Sequence, residues 1–186
     1  YKQRTNILIS FDNNQSNLYS NIYPILKERG FIGTYCLPTT ALDNTGGTGV
    51  TLNNHRELMA NGWDYAYYAG TGKPEFTADV NAWVTYFNNW KKTYENIGIG
   101  IPICYFSPSN RSDRTLIEAE KKAGFKMNRS MIATDCNLID NWDKDTFEIT
   151  CIGISTKEGS STAKSLINQA INKGKHLCIF VHQVLD

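Results

Sequence analysis

Segments with the features of β-strands and of amphipathic helices alternate along the chain, and glycines stand where helices end. Gly30, Gly62 and Gly124 each follow a helical segment as a C-terminal stop. Short β-branched or aromatic runs predict strands at residues 6–11, 31–37, 63–69, 101–106, 125–132, 147–154 and 176–184. This order predicts an α/β protein with a mainly parallel sheet covered by helices, either open or closed into a barrel.

The composition is that of one globular domain over residues 1–186. Of the 186 residues, 41% are hydrophobic and 20% are charged, which provides a sizeable core and excludes a disordered chain. The sequence opens at Tyr1 with neither a start methionine nor a signal segment, and it closes in an apolar run at Asp186. We therefore expect a single domain excised from a longer chain.

Charge and hydropathy exclude two classes of partner. The formal net charge is +1 and like charges form no block, so the sequence does not favour nucleic acid or anionic lipid. The apolar runs, such as residues 177–181, are far shorter than the roughly 20 residues that a membrane-spanning helix needs. We expect no nucleic-acid partner and no membrane insertion.

The five cysteines do not form a disulfide framework, because their number is odd and no CxxC pair occurs. Cys36, Cys104, Cys151 and Cys178 each lie within a predicted strand, so we expect buried thiols. Such a pattern suits folding in a reducing compartment and does not exclude later export.

Asp12 follows the first predicted strand, and chemistry in parallel α/β folds gathers at the carboxyl ends of strands. One interpretation is a functional acid or base. The other is an aspartate that accepts hydrogen bonds from the backbone of its own turn. The local pattern leaves both open.

Three histidines occur, and only His182 lies at the end of a predicted strand. A histidine there can transfer a proton near neutral pH, or it can be half-buried and satisfied by backbone groups. We interpret His55, placed on the polar face of the second helix, and His176 as structural. No two histidines have a spacing that would chelate a metal.

An aromatic strand contains Trp63, Tyr65, Tyr67 and Tyr68. Alternate side chains of a strand point to opposite faces, so one set should be core and the other exposed or in a cleft. Aromatic faces beside polar groups are typical of sugar sites, although ordinary packing explains them as well. Trp142 has the same two interpretations.

The order of these segments resembles the polysaccharide deacetylase (NodB homology) family of carbohydrate esterases. Residues 7–14, ILISFDNN, are similar to the family's TFDDG strand, and residues 23–30 with 34–36 resemble its ypiLkkygikaTfF segment. Phe106-Ser107-Pro108 resembles the RPP motif, and Phe180-Val181-His182 resembles the final LLH. The resemblance covers nearly the whole chain and implies a distorted (β/α) barrel.

The family uses a divalent metal such as zinc, held by one aspartate and two histidines, with a second aspartate as base and a histidine as acid. Carried over to this sequence, the resemblance makes Asp12 the base and His182 the acid. Asn13 falls on the metal-binding aspartate, and Tyr68 and Gly72 fall on the two histidines. An amide, a phenol and a glycine do not replace a carboxylate and two imidazoles around Zn²⁺, so no metal cofactor is expected.

Further positions follow from the same resemblance. Ser107 takes the place of the arginine that orients the base, and Asp140 with Trp142 resembles the fourth motif. The predicted substrate-binding residues are Asn13, Tyr68, Ser107, Asn110 and Trp142. The family usually continues beyond the LLH strand, so we expect an incomplete barrel that a neighbour closes, or a reduced variant.

Two functions follow from an intact scaffold with altered metal ligands. The first is a carbohydrate-recognition or structural module of a bacterial or phage surface protein, extracellular or particle-associated, whose partners are a glycan or neighbouring domains. The alternative is an active polysaccharide deacetylase that removes N- or O-acetyl groups with a rearranged site around Asp12 and His182. A third class, a purely architectural subunit assembled in the cytoplasm, also fits the reduced cysteines.

Overall fold

The structure, a computed structural model, describes residues 5–12, 17–37, 49–69, 72–107, 113–131, 147–154 and 157–181. In this part of the chain seven strands form a closed barrel, and every pair of neighbouring strands is parallel. The strands are β1 (Ile7–Phe11), β2 (Thr34–Cys36), β3 (Asp64–Tyr68), β4 (Cys104–Phe106), β5 (Met127–Met131), β6 (Glu148–Ile154) and β7 (Leu177–Val181). The predicted α/β barrel is therefore confirmed.

The barrel closes where β7 pairs with β1. Five residue pairs join the two strands, from Ile7 opposite Leu177 to Phe11 opposite Val181. Of the two expectations, the incomplete barrel that a neighbour closes was wrong, because these two strands supply the last seam. A reduced variant of the family's barrel agrees with the seven described strands.

Helices cover the outside of the barrel. They are α1 (Tyr23–Glu28), which a π-helical turn (Leu18–Ile22) precedes, α2 (Leu52–Ala60), α3 (Val80–Asn96), α4 (Arg114–Lys122) and α5 (Lys157–Lys173). Side-chain oxygens cap three of them: Thr51, Asp79 and Asp113 each accept a hydrogen bond from the backbone N–H three residues later. These caps fix where α2, α3 and α4 begin.

The side chains of each strand alternate between the barrel interior and the helices. Cys36, Cys104, Cys151 and Cys178 are all thiols, buried in the small clusters that fill the interior. The prediction of buried thiols is confirmed for these four, and Cys136 lies outside the described residues. The interior therefore combines small and sulfur-containing side chains with a few larger ones.

Tyrosines dominate the layer between the barrel and the helices. Tyr65 and Tyr67 are buried there, and the Tyr67 ring stacks on Tyr105 and Phe125 at centroid distances of 5.8 and 6.1 Å. Tyr68, one residue on, packs instead with the interior cluster. The predicted core set is confirmed for Tyr65 and Tyr67, and a place of Tyr68 in a cleft stays a prediction.

His55 is buried, so its predicted place on the polar face of α2 was wrong. The side chain lies 2.5 Å from the Tyr35 hydroxyl through Nδ1, and the ring meets Tyr65 edge-on at 4.8 Å. Burial, with a smaller effect of the Arg56 charge, lowers the pKa of His55 to about 4. His55 is thus a neutral core residue, which agrees with its expected structural role.

Candidate functional site

A buried ion pair between Asp12 and Arg129 lies inside the barrel at the carboxyl end of β1. Nη2 of Arg129 donates to Oδ2 of Asp12 over 3.0 Å, and Nη1 lies 2.7 Å from Oδ1. The two side chains are only 3% and 8% exposed. The Asp12 N–H also donates to the Val181 carbonyl oxygen of β7, which fixes the backbone that carries the carboxylate.

Two phenylalanine rings and a serine surround the guanidinium of Arg129. Its central carbon lies 3.9 Å from the Phe106 ring centroid and 5.1 Å from that of Phe180. Nη1 donates to the Ser10 hydroxyl over 3.1 Å. Burial disfavours the charged guanidinium, but the Asp12 carboxylate more than offsets this, so the pKa of Arg129 is raised above its ordinary value.

The strand periodicity explains why these two residues meet. Ser10 and Asp12 occupy alternate positions at the end of β1, and Met127 and Arg129 occupy alternate positions on β5, so all four face the interior. Arg129 is not among the site residues that the sequence predicts. A buried charge is costly unless it is paired, so an arginine at an inward-facing strand position indicates a nearby carboxylate. In this barrel that carboxylate is Asp12.

Tyr68 lies beside this pair at the end of β3. Its side chain is half-buried and packs with the cluster formed by Cys36, Cys104 and Phe106. Burial raises the pKa of the Tyr68 phenol, and the charges of Cys36 and Asp12 add to the effect while Arg129 opposes it. The structure thus brings together two of the predicted site residues, Asp12 and Tyr68, with Tyr68 as a neutral phenol.

Ser107 follows β4 on the opposite side of the barrel wall. Its hydroxyl accepts a hydrogen bond of 2.8 Å from Nδ2 of Asn128, and its N–H donates to the Arg129 carbonyl oxygen. The arginine that contacts Asp12 therefore comes from β5 rather than from position 107. The substrate-binding role of Ser107 stays a prediction.

Glu120 of α4 is buried behind the same wall. Nδ2 of Asn128, which also donates to Ser107, lies 2.5 Å from Oε2 of Glu120. Burial raises the pKa of Glu120 to about 8, and Glu148 and Asp113 add to this while Asn128 and Lys121 oppose it. A protonated glutamic acid thus supports the end of β4 at neutral pH.

Gly72 is exposed and has a φ of +73°, with no atom within 4 Å of where a Cβ would lie. A glycine offers no ligand atom on its side chain, and the protonated Tyr68 phenol is a poor ligand for zinc. These two positions therefore do not fit the family's zinc site. Across the described ranges, no group of three histidine, cysteine, aspartate or glutamate side chains is arranged to hold a metal ion.

Five candidate residues fall outside the described residues. They are Asn13, Asn110, Asp140, Trp142 and His182. Their predicted roles stay predictions. Among the helices that the structure describes, none is long and apolar enough to cross a membrane.

No protein-family model matches the sequence, and neither does any curated protein. Solved structures do match. A Mycobacterium smegmatis protein assigned to the polysaccharide deacetylases has a TM-score of 0.68 and 12% identity, with 98% of this chain and 78% of that chain covered. A de-N-acetylase from Aggregatibacter actinomycetemcomitans has a TM-score of 0.61 and 18% identity, with coverages of 77% and 68%.

A third similar structure is a variant of a pseudoenzyme of carbohydrate esterase family 4, in which enzymatic activity had been restored. It has a TM-score of 0.56 and 9% identity, with 97% of this chain and 67% of that chain covered. At these identities the likeness shows the fold alone. The chain has the fold of the polysaccharide deacetylases, which confirms the expected architecture.

Proposed function

We propose that this domain binds a carbohydrate at the carboxyl end of the barrel and does not catalyse metal-dependent deacetylation. The contact between Asp12 and Arg129, with Tyr68 beside it, is the observation on which the proposal rests. The pair itself is buried, so a sugar would meet the half-buried Tyr68 ring beside it, and sugars bind through contact with aromatic faces.

The absence of hydrolysis is inferred from the side chains at the two described ligand positions. Neither the Tyr68 phenol nor Gly72 supplies an imidazole. A hydrolase without a metal would depend on Asp12 alone to activate water, and general base catalysis of that kind contributes about 10²- to 10⁴-fold. That is well below what metal activation and oxyanion stabilisation add in an efficient enzyme.

The same ion pair gives specific support to a second function, an active deacetylase with a rearranged site. In the family that the sequence resembles, an arginine orients the aspartate that acts as base. Arg129 contacts both carboxylate oxygens of Asp12 and holds them in one orientation. With that positioning intact, the domain would act on N- or O-acetyl groups of a glycan, with His182 as the acid.

A binding experiment tests the first proposal. The domain should bind acetylated chitooligosaccharides or related glycans on an array, and Tyr68→Ala should weaken the affinity about tenfold while Tyr68→Phe keeps most of it. Tyr19→Ala is the matched control, because Tyr19 bonds Glu57 in the helix layer. Unchanged affinity in Tyr68→Ala, or no binding to any glycan, would contradict the proposal and favour an architectural role.

Acetate release separates the two functions. We expect release from acetylated chitooligosaccharide or acetylxylan to stay at the level of a buffer blank, with or without added Zn²⁺ or Co²⁺. Metal-dependent release that Asp12→Ala abolishes would establish the deacetylase instead. The substrates are chosen because the similar structures include de-N-acetylases and carbohydrate esterases.

We further propose that the domain belongs to a surface protein of a bacterium or to a phage particle, with a glycan or neighbouring domains as partners. Four buried thiols show that no described cysteine needs an oxidising compartment for folding. Folding in the cytosol followed by export would account for both the reduced cysteines and a location at the surface or in a particle. Immunogold labelling of intact cells or particles tests this location, and label confined to the cytoplasm would contradict it.

A further inference from the structure

Two cysteines face each other across neighbouring strands of the barrel. Ile152 of β6 lies opposite Ile179 of β7, and since the strands are parallel, Cys151 lies opposite Cys178. Both side chains point into the interior, where they are 0% and 1% exposed. Neighbouring strands lie about 4.8 Å apart, which is within the Cα separation of about 4.4 to 6.8 Å that a disulfide spans.

Both thiols belong to one buried cluster, together with Ile149 and Phe180. A hydrogen bond to Cys178, followed by burial, raises the pKa of Cys151, and the charge of Arg129 opposes both effects. The Cys151 thiol also lies 3.4 Å from the Ser130 carbonyl oxygen, to which it donates.

The other two interior cysteines do not form such a pair. Cys36 lies opposite Ala66 of β3, and Ala66 in turn lies opposite Cys104 of β4. Two strand spacings, about 10 Å, therefore separate Cys36 from Cys104, which is too far for a disulfide. They serve as an internal control within the same barrel.

We propose that Cys151 and Cys178 form a redox-active dithiol, which closes to a disulfide between β6 and β7 when a small peroxide enters the barrel. The Cys178 sulfur, which lines an interior cavity, attacks a peroxide oxygen and loses its S–H proton. The O–O bond breaks, the departing oxygen takes up that proton and leaves as water, and a sulfenic acid is formed. The second thiol then attacks that sulfur, the S–S bond forms and the S–O bond breaks. Two thiols and one hydrogen peroxide give one disulfide and two waters.

A small cavity lies beside Cys178. A cavity that holds roughly one water-sized molecule lies in the interior, and Ser10, Arg129 and Cys178 help to line it. A bulky oxidant such as glutathione disulfide has no comparable room. Because β6 and β7 are already hydrogen-bonded, the disulfide would link them without separating the strands.

Limited oxidation of the folded protein tests the dithiol. The Cys136→Ser variant keeps the fifth cysteine out of the reaction, and it is treated with hydrogen peroxide, unfolded and alkylated with N-ethylmaleimide. Before alkylation, we expect the intact mass to fall by two hydrogen atoms. After alkylation, two of the four thiols should remain unmodified, and one linked peptide pair should contain Cys151 and Cys178.

Two further variants, each in the Cys136→Ser background, complete the test. Cys151→Ala should abolish the cross-link, whereas Cys36→Ala should retain it. The proposal is overturned if all four thiols stay alkylatable under conditions that oxidise the guanidine-unfolded chain. It is equally overturned if the link joins other cysteines, or if sulfinic acid forms in place of the disulfide.

Discussion

Ser107 and Arg129 are joined across neighbouring strands, with the Ser107 N–H donating to the Arg129 carbonyl oxygen over 3.1 Å. Their side chains point to opposite faces of the barrel sheet. Arg129 reaches inward to Asp12, and Ser107 bonds Asn128 on the helix side. The guanidinium that contacts Asp12 is therefore displaced by one strand from the position that the sequence motif indicates.

Arg129→Met should destabilise the domain by about 3–5 kcal/mol, because it leaves the buried Asp12 carboxylate without its counter-charge. The double variant Arg129→Met with Asp12→Leu should recover most of that loss, since no unpaired charge stays in the interior. Urea unfolding of the four proteins of this cycle measures the effect.

The exposed pair of Lys122 and Glu118 is the matched control for that cycle. Its atoms lie 2.8 Å apart, but both side chains are at least half-exposed. Glu118→Gln should change the stability by no more than about 0.5 kcal/mol. Equal losses of stability in Arg129→Met and Glu118→Gln would show that burial does not determine how much the Asp12–Arg129 pair contributes to stability.

The barrel could be predicted from the sequence, whereas the centre of the site could not. Strand alternation, glycine stops and the order of motifs are local signals, and they gave the architecture and the position of Asp12. Asp12 and Arg129 are separated by 117 positions, and no local pattern joins them. Only the barrel's closure determines which inward-facing residue of β5 lies opposite the end of β1.

Element boundaries show the same limit. β2 contains three residues rather than residues 31–37, and Phe31 and Ile32 are exposed despite their apolar side chains. α5 begins at Lys157, and Gly159 lies in its first turn. Glycine and serine lower the intrinsic helix propensity there, so the sequence signal of this turn was weak.

Acidification should destabilise the domain through His55. Its pKa of about 4 in the folded state lies below the ordinary value of 6.5, so the unfolded chain binds more protons between these values. This contribution to stability is present above pH 6.5 and is lost as the pH falls toward 4. Melting temperatures of wild type and His55→Phe measure it, and the pH slope across this window should become shallower in the variant.

Alkaline conditions should act on Glu120 with the opposite sign. Its pKa of about 8 lies above the ordinary value of 4.5, so the folded state holds the extra proton. The stabilising contribution is present below pH 4.5 and falls as the pH rises through 8, by up to about 5 kcal/mol in total. Glu120→Gln should unfold with a smaller dependence on pH from 5 to 9, and an unchanged dependence would show that Glu120 is not the group responsible.

Gly153→Ala should destabilise the barrel by about 1–3 kcal/mol through overpacking. A Cβ at this position would lie 2.7 Å from the Phe180 ring, which is itself held against Arg129. Gly100→Ala is the control, because the nearest atom to its Cβ is the Tyr65 hydroxyl oxygen at 3.5 Å. Thermal unfolding should show a lower melting temperature for Gly153→Ala than for Gly100→Ala. Equal melting temperatures would mean that the Phe180 ring moves aside without a cost in stability.

Zinc should not bind stoichiometrically to the purified domain at neutral pH. The phenol at Tyr68 and the glycine at position 72 remove two imidazole ligands, and structural zinc sites depend on about 10–16 kcal/mol from a full ligand set. Isothermal titration calorimetry checks this expectation. A tight one-to-one site would contradict both this prediction and the non-catalytic function proposed for the domain.

The seam between β1 and β7 imposes an order on folding. β1 shares five residue pairs with β7 but only two with β2, so its main partner is the last of the seven described strands in chain order. Such long-range pairing slows folding, and until it forms, β1 is an unpaired edge that invites aggregation. A nascent chain stalled before Leu177 should therefore depend on chaperones, and the Asp12–Arg129 pair should form only once the last strand has docked.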